Sequence, residues 1–401
     1  MDDKSARNKR PRDRKSQLAA VASELFRARG YHGVGINDIA AEAGITGPAL
    51  YRHFADKRSI LGHVLLSGLD ELEQATETAL VTGDRPTPDH IHTLLEQLAV
   101  KSVERREVAA LWRWEGRHLD PEAQRAIRNR STAMLAMWTK TLMRMRPDLA
   151  ADDAELLCWA GLSVFGSVSA HRTSIAKRRF AALLVDIALR VLHARLPPRE
   201  TVEVGEVEAP PATLGTPSRR EQLLTSAAEL FRKHGFPSVS MEDIGKAAGI
   251  AGPSVYRHFP SKAALLAAIG RRAGDRLAIG AEYALHLSAP ADERTALRGL
   301  AESYVRTLTG PPDLLVSFSV DRVHIDERDR PDLLRIQRDY VDQWVRLLTV
   351  VHPELDAKEA RITVHAALTI ANDLTRTRRV SARPGLTVEL ASVLNDVLDI
   401  A

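Results

Sequence analysis

The 401-residue chain carries 56 Lys and Arg against 52 Asp and Glu, a formal net charge of +4, and 44% of its residues are hydrophobic. That apolar fraction excludes wholesale disorder, and so small a charge predicts a polyanion partner only if basic residues are clustered. A single cysteine, Cys158, excludes an intramolecular disulfide and fits a reducing compartment.

The chain opens on a basic arm, residues 1–15, with Lys4, Arg7, Lys9, Arg10, Arg12, Arg14 and Lys15 against three aspartates. No apolar h-region follows, so it does not read as a secretory signal, and no apolar run approaches the ~20 residues needed to span a bilayer. A cytoplasmic protein is expected. The arm reads either as a solvated tail or as a segment reaching a DNA minor groove.

Residues 16–61 predict three helices. Leu18, Val21, Ala22 and Leu25 follow the spacing of an amphipathic helix, which Gly30 stops. Ile36 to Ala43 predicts a short helix with Ile39 and Ala40 inward. Gly44-Ile45 makes a tight turn, Thr46 is placed to cap the next helix with its hydroxyl, and Pro48 suits its first turn. That helix ends near Phe54. A helix, a Gly-containing turn and a second helix make a helix-turn-helix, whose second helix can enter the major groove. Gly47, Pro48 and Ala49 are small enough for close approach, Tyr51, Arg52 and His53 can meet phosphates or base edges, and Lys57 opens the following helix, where ammonium and free N–H groups could share a phosphate. Phe54 reads as core.

Residues 62–195 predict further helices. Trp112, Glu115, His118, Met134 and Trp138 lie on them as candidate small-molecule contacts, although aromatic and Met side chains at such positions also serve as core. "DHIH" at Asp89–His92 spaces its histidines i, i+2, off a common helix face, and reads as surface. "ELLCWAGL" places Cys158 as a small buried hydrophobe. The Pro- and Gly-punctuated, mainly acidic stretch 196–218 reads as a linker.

The chain then repeats itself. Gln17 to Leu61 aligns without a gap on Gln222 to Leu266, with about half the positions identical. "AGITGPALYRHFADK" returns as "AGIAGPSVYRHFPSK". Farther on, Trp138 falls on Trp344 and His118 on His324, the offset having grown by one. Residues 219–266 therefore predict a second helix-turn-helix, with Gly252, Pro253, Ser254, Tyr256, Arg257, His258 and Lys262 in the same roles and Phe259 as core. Residues 267–401 predict a second helical region, with Phe318, Arg322, His324, Tyr340 and Trp344 as candidate ligand contacts. His118 and His324 read as core or junction histidines first and as ligand contacts second. The readers differ: Ala251 replaces Thr46, Ser254 replaces Ala49 and Val255 replaces Leu50. "TVEVGEVEA" alternates like a strand but lies in the linker.

Both segments, "INDIAAEAGITGPALYRHFADKRSIL" and "MEDIGKAAGIAGPSVYRHFPSKAALL", resemble the N-terminal helix-turn-helix of the TetR family of bacterial transcriptional regulators. The doubled layout is similar to the fused two-TetR repressors of lipid and sterol uptake genes in actinobacteria. The resemblance implies an all-α fold of two tandem units, each a helix-turn-helix domain plus a larger helical ligand-binding and dimerisation domain. It places the dimerising helices at 152–174 with 176–195 and at 356–377 with 387–400, and we expect them to form one bundle within the chain, an intramolecular pseudo-dimer. It also implies a DNA operator, asymmetric because the readers differ, and a hydrophobic effector such as an acyl thioester or sterol derivative that releases a repressor. Further homodimerisation, an activator, an effector-independent regulator and a nonspecific architectural DNA binder are the alternatives. No P-loop, dinucleotide glycine pattern or His-Glu-x-x-His motif is present, so no enzyme, cofactor or metal site is expected.

Overall fold

The computed structural model describes residues 11–80, 87–114, 116–198, 218–287, 292–319 and 324–401. Among these no strand occurs. The first half folds as α1 (Pro11–Arg29), α2 (Ile36–Glu42), α3 (Gly47–Tyr51), α4 (Lys57–Leu80), α5 (Pro88–Glu104), α6 (Arg106–Trp114), α7 (Pro121–Met145), α8 (Ala151–Gly166) and α9 (Lys177–His193). The second half follows as α10 (Arg219–His234), α11 (Met241–Ala247), α12 (Gly252–His258), α13 (Lys262–Leu287), α14 (Glu293–Thr309), α15 (Asp313–Ser319), α16 (Arg330–Val351), α17 (Ala357–Arg376), the short α18 (Arg378–Ser381) and α19 (Leu386–Val397). The first ten residues of the arm, most of the expected linker and its alternating segment lie outside the described residues.

Local chemistry sets the helix starts. Asp120 accepts from Ala123 N at 2.8 Å to cap α7, and Asp356 accepts from Lys358 N and Glu359 N to cap α17. Glu359 reaches back to Asp356 N at 3.2 Å and completes a capping box. Prolines occupy the first turns of α3, α5, α7, α12 and α16, where their missing N–H is not needed.

The chain forms two compact units, residues 1–148 and 149–401. In the first, Leu18, Ala22 and Phe26 of α1, Ile39 of α2, Leu50 of α3 and Leu61 of α4 form a buried core that continues into Leu111 of α6 and Leu119. Each of the Leu, Ile and Phe side chains among them contributes about 1.5–3 kcal/mol by leaving water. In the second unit, Leu223, Phe231, Ile244, Val255, Phe259 and Leu266 form the equivalent core.

The second unit also contains the last two helices of the first half. α8 packs against α17 and α9 against α19, with α8 on α9 and α17 on α19, so four helices from both halves close one bundle. The expected pairing of 152–174 and 176–195 with 356–377 and 387–400 is the observed one. The buried faces are the sequence stripes: Leu156, Leu157, Ala160 and Val164 on α8; Leu184, Ile187 and Val191 on α9; Val364, Leu368 and Ala371 on α17; Leu390, Val393, Leu394 and Val397 on α19. Cys158 is buried here. Charged groups add cross-half links. The Arg179 guanidinium grips both Glu359 carboxylate oxygens, Arg383 bridges Asp153 and Glu389, and Ser392 Oγ donates to the Arg195 carbonyl at 2.9 Å. His171 stacks on His365 at 4.8 Å. Burial, aided by Arg361, pushes the His365 imidazole down to about 4.

Candidate nucleic-acid interface

The two helix-turn-helix segments share one turn geometry. After α2, Gly44 takes φ +66°, Ile45 N donates to Ala40 O at 2.9 Å and Gly44 N to Ala41 O at 3.1 Å. After α11, Gly249 takes φ +68°, with Ile250 N on Gly245 O and Gly249 N on Lys246 O. This left-handed glycine cap ends one helix and redirects the chain into the next. Close approach differs. A Cβ on Gly245 would lie 2.9 Å from Val255 Cγ2 and 3.0 Å from Ile250 O, whereas Ala40 holds the same place in the first half. Glycine there lets α12 pack closely on α11.

Each recognition helix is fixed by an inward residue and a following phenylalanine: Leu50 and Phe54 in α3, Val255 and Phe259 in α12, all buried. The remaining residues face outward. Tyr51 and Tyr256 are 55% and 56% exposed, at the same place on each recognition helix. Arg52, Arg257 and His258 are exposed and His53 half-buried. Thr46, Pro48 and Pro253 are exposed, and Gly47, Ala49, Gly252 and Ser254 are half-buried at the helix starts. α3 stops after Tyr51, His53 N bonding Leu50 O in a tight turn, so Arg52 and His53 lie past its end. α12 is two residues longer and includes Arg257 and His258.

Three expectations are corrected. The Thr46 hydroxyl makes no cap bond, so the loss of that hydroxyl at Ala251 removes nothing from the helix start. The ammonium of Lys57 does not face outward: it donates to Tyr31 O at 2.7 Å and Val34 O at 2.8 Å and lies over the Tyr31 ring. Lys262 does the same, to Phe236, Pro237 and Val239 carbonyls and over the Phe236 ring, and desolvation lowers its pKa. Both lysines tie down the loop between the first two helices by donating to carbonyls it leaves over, two for Lys57 and three for Lys262. The start of α4 is meanwhile capped by Asp56, which accepts from Ser59 N, while α13 has the neutral cap Ser261, accepting from Ala264 N at 3.1 Å.

His118 and His324 are junction residues. His118 stacks on Tyr31 at 4.8 Å and 9° and meets His32 edge-on, and His324 packs on Phe236 at 4.8 Å. Each half thus builds a lysine–aromatic–histidine stack between its helix-turn-helix and the segment leading into α7 or α16. The other candidate ligand contacts separate. Met134 and Trp138 are buried on α7, and Tyr340 and Trp344 share a face of α16. Glu115, Arg322 and the side chains of Trp112 and Phe318 lie outside the described residues. Two cations pack against the phenylalanines that follow the recognition helices: Lys15, the last residue of the basic arm, lies over the Phe54 ring at 5.1 Å and Arg220, its counterpart, over Phe259 at 4.3 Å. Their equal offset from the repeated phenylalanine is the sequence signal of that packing.

No helix among the described residues is long and apolar enough to cross a membrane. The family described as bacterial regulatory proteins of the tetR family matches residues 18–64 and again 223–269. The chain is 43% identical over 76 residues to the HTH-type transcriptional activator FasR of Mycolicibacterium smegmatis, covering 19% of this chain and 35% of FasR. It is 28% identical over 142 residues to the HTH-type transcriptional repressor KstR2 of Rhodococcus jostii, covering 35% of this chain and 69% of KstR2. A solved tetR-family regulatory protein from Rhodococcus RHA1 is 26% identical, with 45% of this chain and 96% of that one covered at a TM-score of 0.40. The FasR match thus spans about a third of that relative's length.

Proposed function

The chain is a tandem of two tetR-family units, and from that premise we propose that it is a sequence-specific DNA-binding transcriptional regulator acting as a repressor. Tyr51, Arg52, His53, Tyr256, Arg257 and His258, with the small residues Gly47, Pro48, Ala49, Gly252, Pro253 and Ser254, form the two reading surfaces. The observation that carries this reading is the pair of outward tyrosines, each on a helix pinned from beneath by a buried Leu or Val and a buried Phe. Rigid placement of exposed donors is what phosphate and base contacts require.

The two surfaces differ in length and at two outward positions, Thr46 against Ala251 and Ala49 against Ser254, so the operator is asymmetric. Repression needs only that the bound protein occlude a promoter. FasR is named an activator, and the position of the operator relative to the promoter decides between the two signs. An apolar small molecule, of acyl thioester or sterol type, acts as the releasing signal. It does so by shifting α7 or α16 and, through His118 or His324, the lysine–aromatic stack beneath each reader.

Genomic-fragment capture with the purified full-length chain, followed by footprinting, tests the reading. A protected site of two unlike half-sites is expected. A perfect inverted repeat, or equal affinity for all fragments, would refute it.

A further inference from the structure

The two halves keep one tryptophan in register and surround it differently. In the first, Trp138 on α7 donates its indole N–H to Thr76 Oγ1 on α4 at 3.0 Å, within a buried pair. Thr76 in turn donates to the Leu72 carbonyl at 2.8 Å, so that polar group is complete. In the second, the counterpart of Thr76 on α13 is Ala281, also buried, which offers a methyl where a hydroxyl stood. Trp344 is fully buried and its N–H has no hydrogen-bond partner. One turn earlier Tyr340 replaces Met134, and its hydroxyl is also buried without a partner. Burial raises the pKa of that phenol. The nearby Trp344 N–H offsets part of the rise, although the two groups do not meet hydrogen-bond geometry. The indole N–H and the phenol, which can donate as well as accept, therefore lie close together on one buried face of α16.

The surroundings of that face are aromatic. Tyr304 on α14 lies 6.1 Å from Tyr340 and 6.0 Å from Trp344 between ring centroids, and its own hydroxyl is committed to Asn372 Oδ1 on α17 at 3.1 Å. The corresponding turn of α5 holds Leu98 and Ala99. Tyr340 is only half-buried as a residue while its hydroxyl is buried, so its ring reaches from the surface to the interior. An unpaired buried donor is destabilising, and an indole N–H left beside a phenol persists where something else supplies the acceptor. An indole N–H can only donate, which fixes the chemistry of the missing group as an acceptor.

We infer that the effector site lies in the second half alone, on the Tyr340–Trp344 face of α16, and takes an apolar molecule by a carbonyl acceptor. This rests on the reading above that the chain answers to a small molecule. In the first half the Thr76–Trp138 pair leaves no such unmet indole N–H at the corresponding position. Burying the apolar body against Tyr304, Tyr340 and Trp344 supplies affinity, and the indole N–H and the phenol orient the carbonyl.

The test uses full-length protein with two probes, progesterone and dodecanoyl-coenzyme A, and carbonyl-free 5α-pregnane as control. One equivalent of at least one carbonyl probe per chain is expected, with no uptake of the control; which probe binds separates a ketone from a thioester source. Tyr340→Phe and Ala281→Thr should each weaken binding at least tenfold, while Thr76→Ala leaves it within twofold. Without ligand, Ala281→Thr gives the Trp344 N–H an acceptor and should raise the thermal midpoint by about 2–4 °C. Two equivalents per chain, no uptake of either carbonyl probe, or binding unaffected by both second-half substitutions would overturn the site. Operator release is read separately: binding without release leaves the site standing and defeats the effector-released repressor. Release that survives both substitutions keeps that repressor and defeats the site.

Discussion

In the first half, Ser16, Ala20, Ser67 and Glu71 occupy the positions that Glu221, Thr225, Arg272 and Arg276 hold in the second. Glu71 on α4 pairs with Arg105 at the end of α5, and both side chains are about 30% exposed. Arg276 on α13 pairs instead with Asp313 at the start of α15, and Asp313 also receives Arg272, which reaches on to Glu221 at 2.7 Å and Thr225 at 3.3 Å on α10. Asp313 is 1% exposed. The duplication exchanged a carboxylate for a guanidinium on α4 and α13, while the acid at Asp313 has Glu107 as its counterpart, which lies 3.6 Å from Arg105. The second version is the more buried of the two, and it ties α10 to α13 and α15 by ions. A half-exposed pair contributes about 0–1 kcal/mol, whereas a buried network is costly to break from one side. The second reader is thus locked to its regulatory helices more firmly than the first.

The largest expected effect tests that lock directly. Asp313→Ala strands Arg272 and Arg276 and should cost about 3–5 kcal/mol, read by denaturant unfolding, against less than about 1 kcal/mol for Arg105→Ala. Equal losses would break the comparison. Next, acid acts on the bundle that both halves share. His365 stacks on His171 and lies near Arg361, and its folded pKa is about 4 against 6.5 unfolded. Below pH 6.5 the unfolded chain takes up a proton that folded His365 refuses. Stability should therefore be level above about pH 6.5 and fall by up to about 3 kcal/mol as pH drops to about 4. His365→Leu should flatten that slope, and an unchanged slope would remove His365 as its source.

Smaller effects sharpen the contrast between the readers themselves. Tyr51→Ala and Tyr256→Ala should each weaken operator binding by about 1–2 kcal/mol, roughly 5- to 30-fold, with footprint loss confined to one half-site apiece. Loss of both half-sites from either change would argue that the readers are not independent. Smallest, Asp56→Ser copies the neutral cap of α13 onto α4. It should tighten binding by a few tenths of a kcal/mol and only at low salt, if phosphate approaches that helix start.

The helix-turn-helix was legible because its turn is written in residues with few alternatives: Gly44 and Gly249 for positive φ, then Pro48 and Pro253 for a first turn. The bundle was legible because its helices carry unbroken apolar stripes. Lys57 and Lys262 were misread because their partners are backbone carbonyls, which every sequence contains and none displays. The His118 and His324 stacks were open to two readings for the same reason: Tyr31 and Phe236 are far away along the chain. Trp138 and Trp344 looked alike because the difference lies in a neighbour some sixty positions off, Thr76 in one case and Ala281 in the other.

The bundle of α8, α9, α17 and α19 joins the two halves covalently as well as by packing. A regulator assembled from two separate subunits must first find its twin, so its occupancy of DNA falls with the square of its copy number when dilute. In the regulator proposed above both reading heads sit on a single translation product; if one chain suffices to bind, that step vanishes and occupancy follows copy number to the first power. A cell holding a handful of molecules could then keep one promoter silent, and each head could drift toward its own target without a matching change in the other.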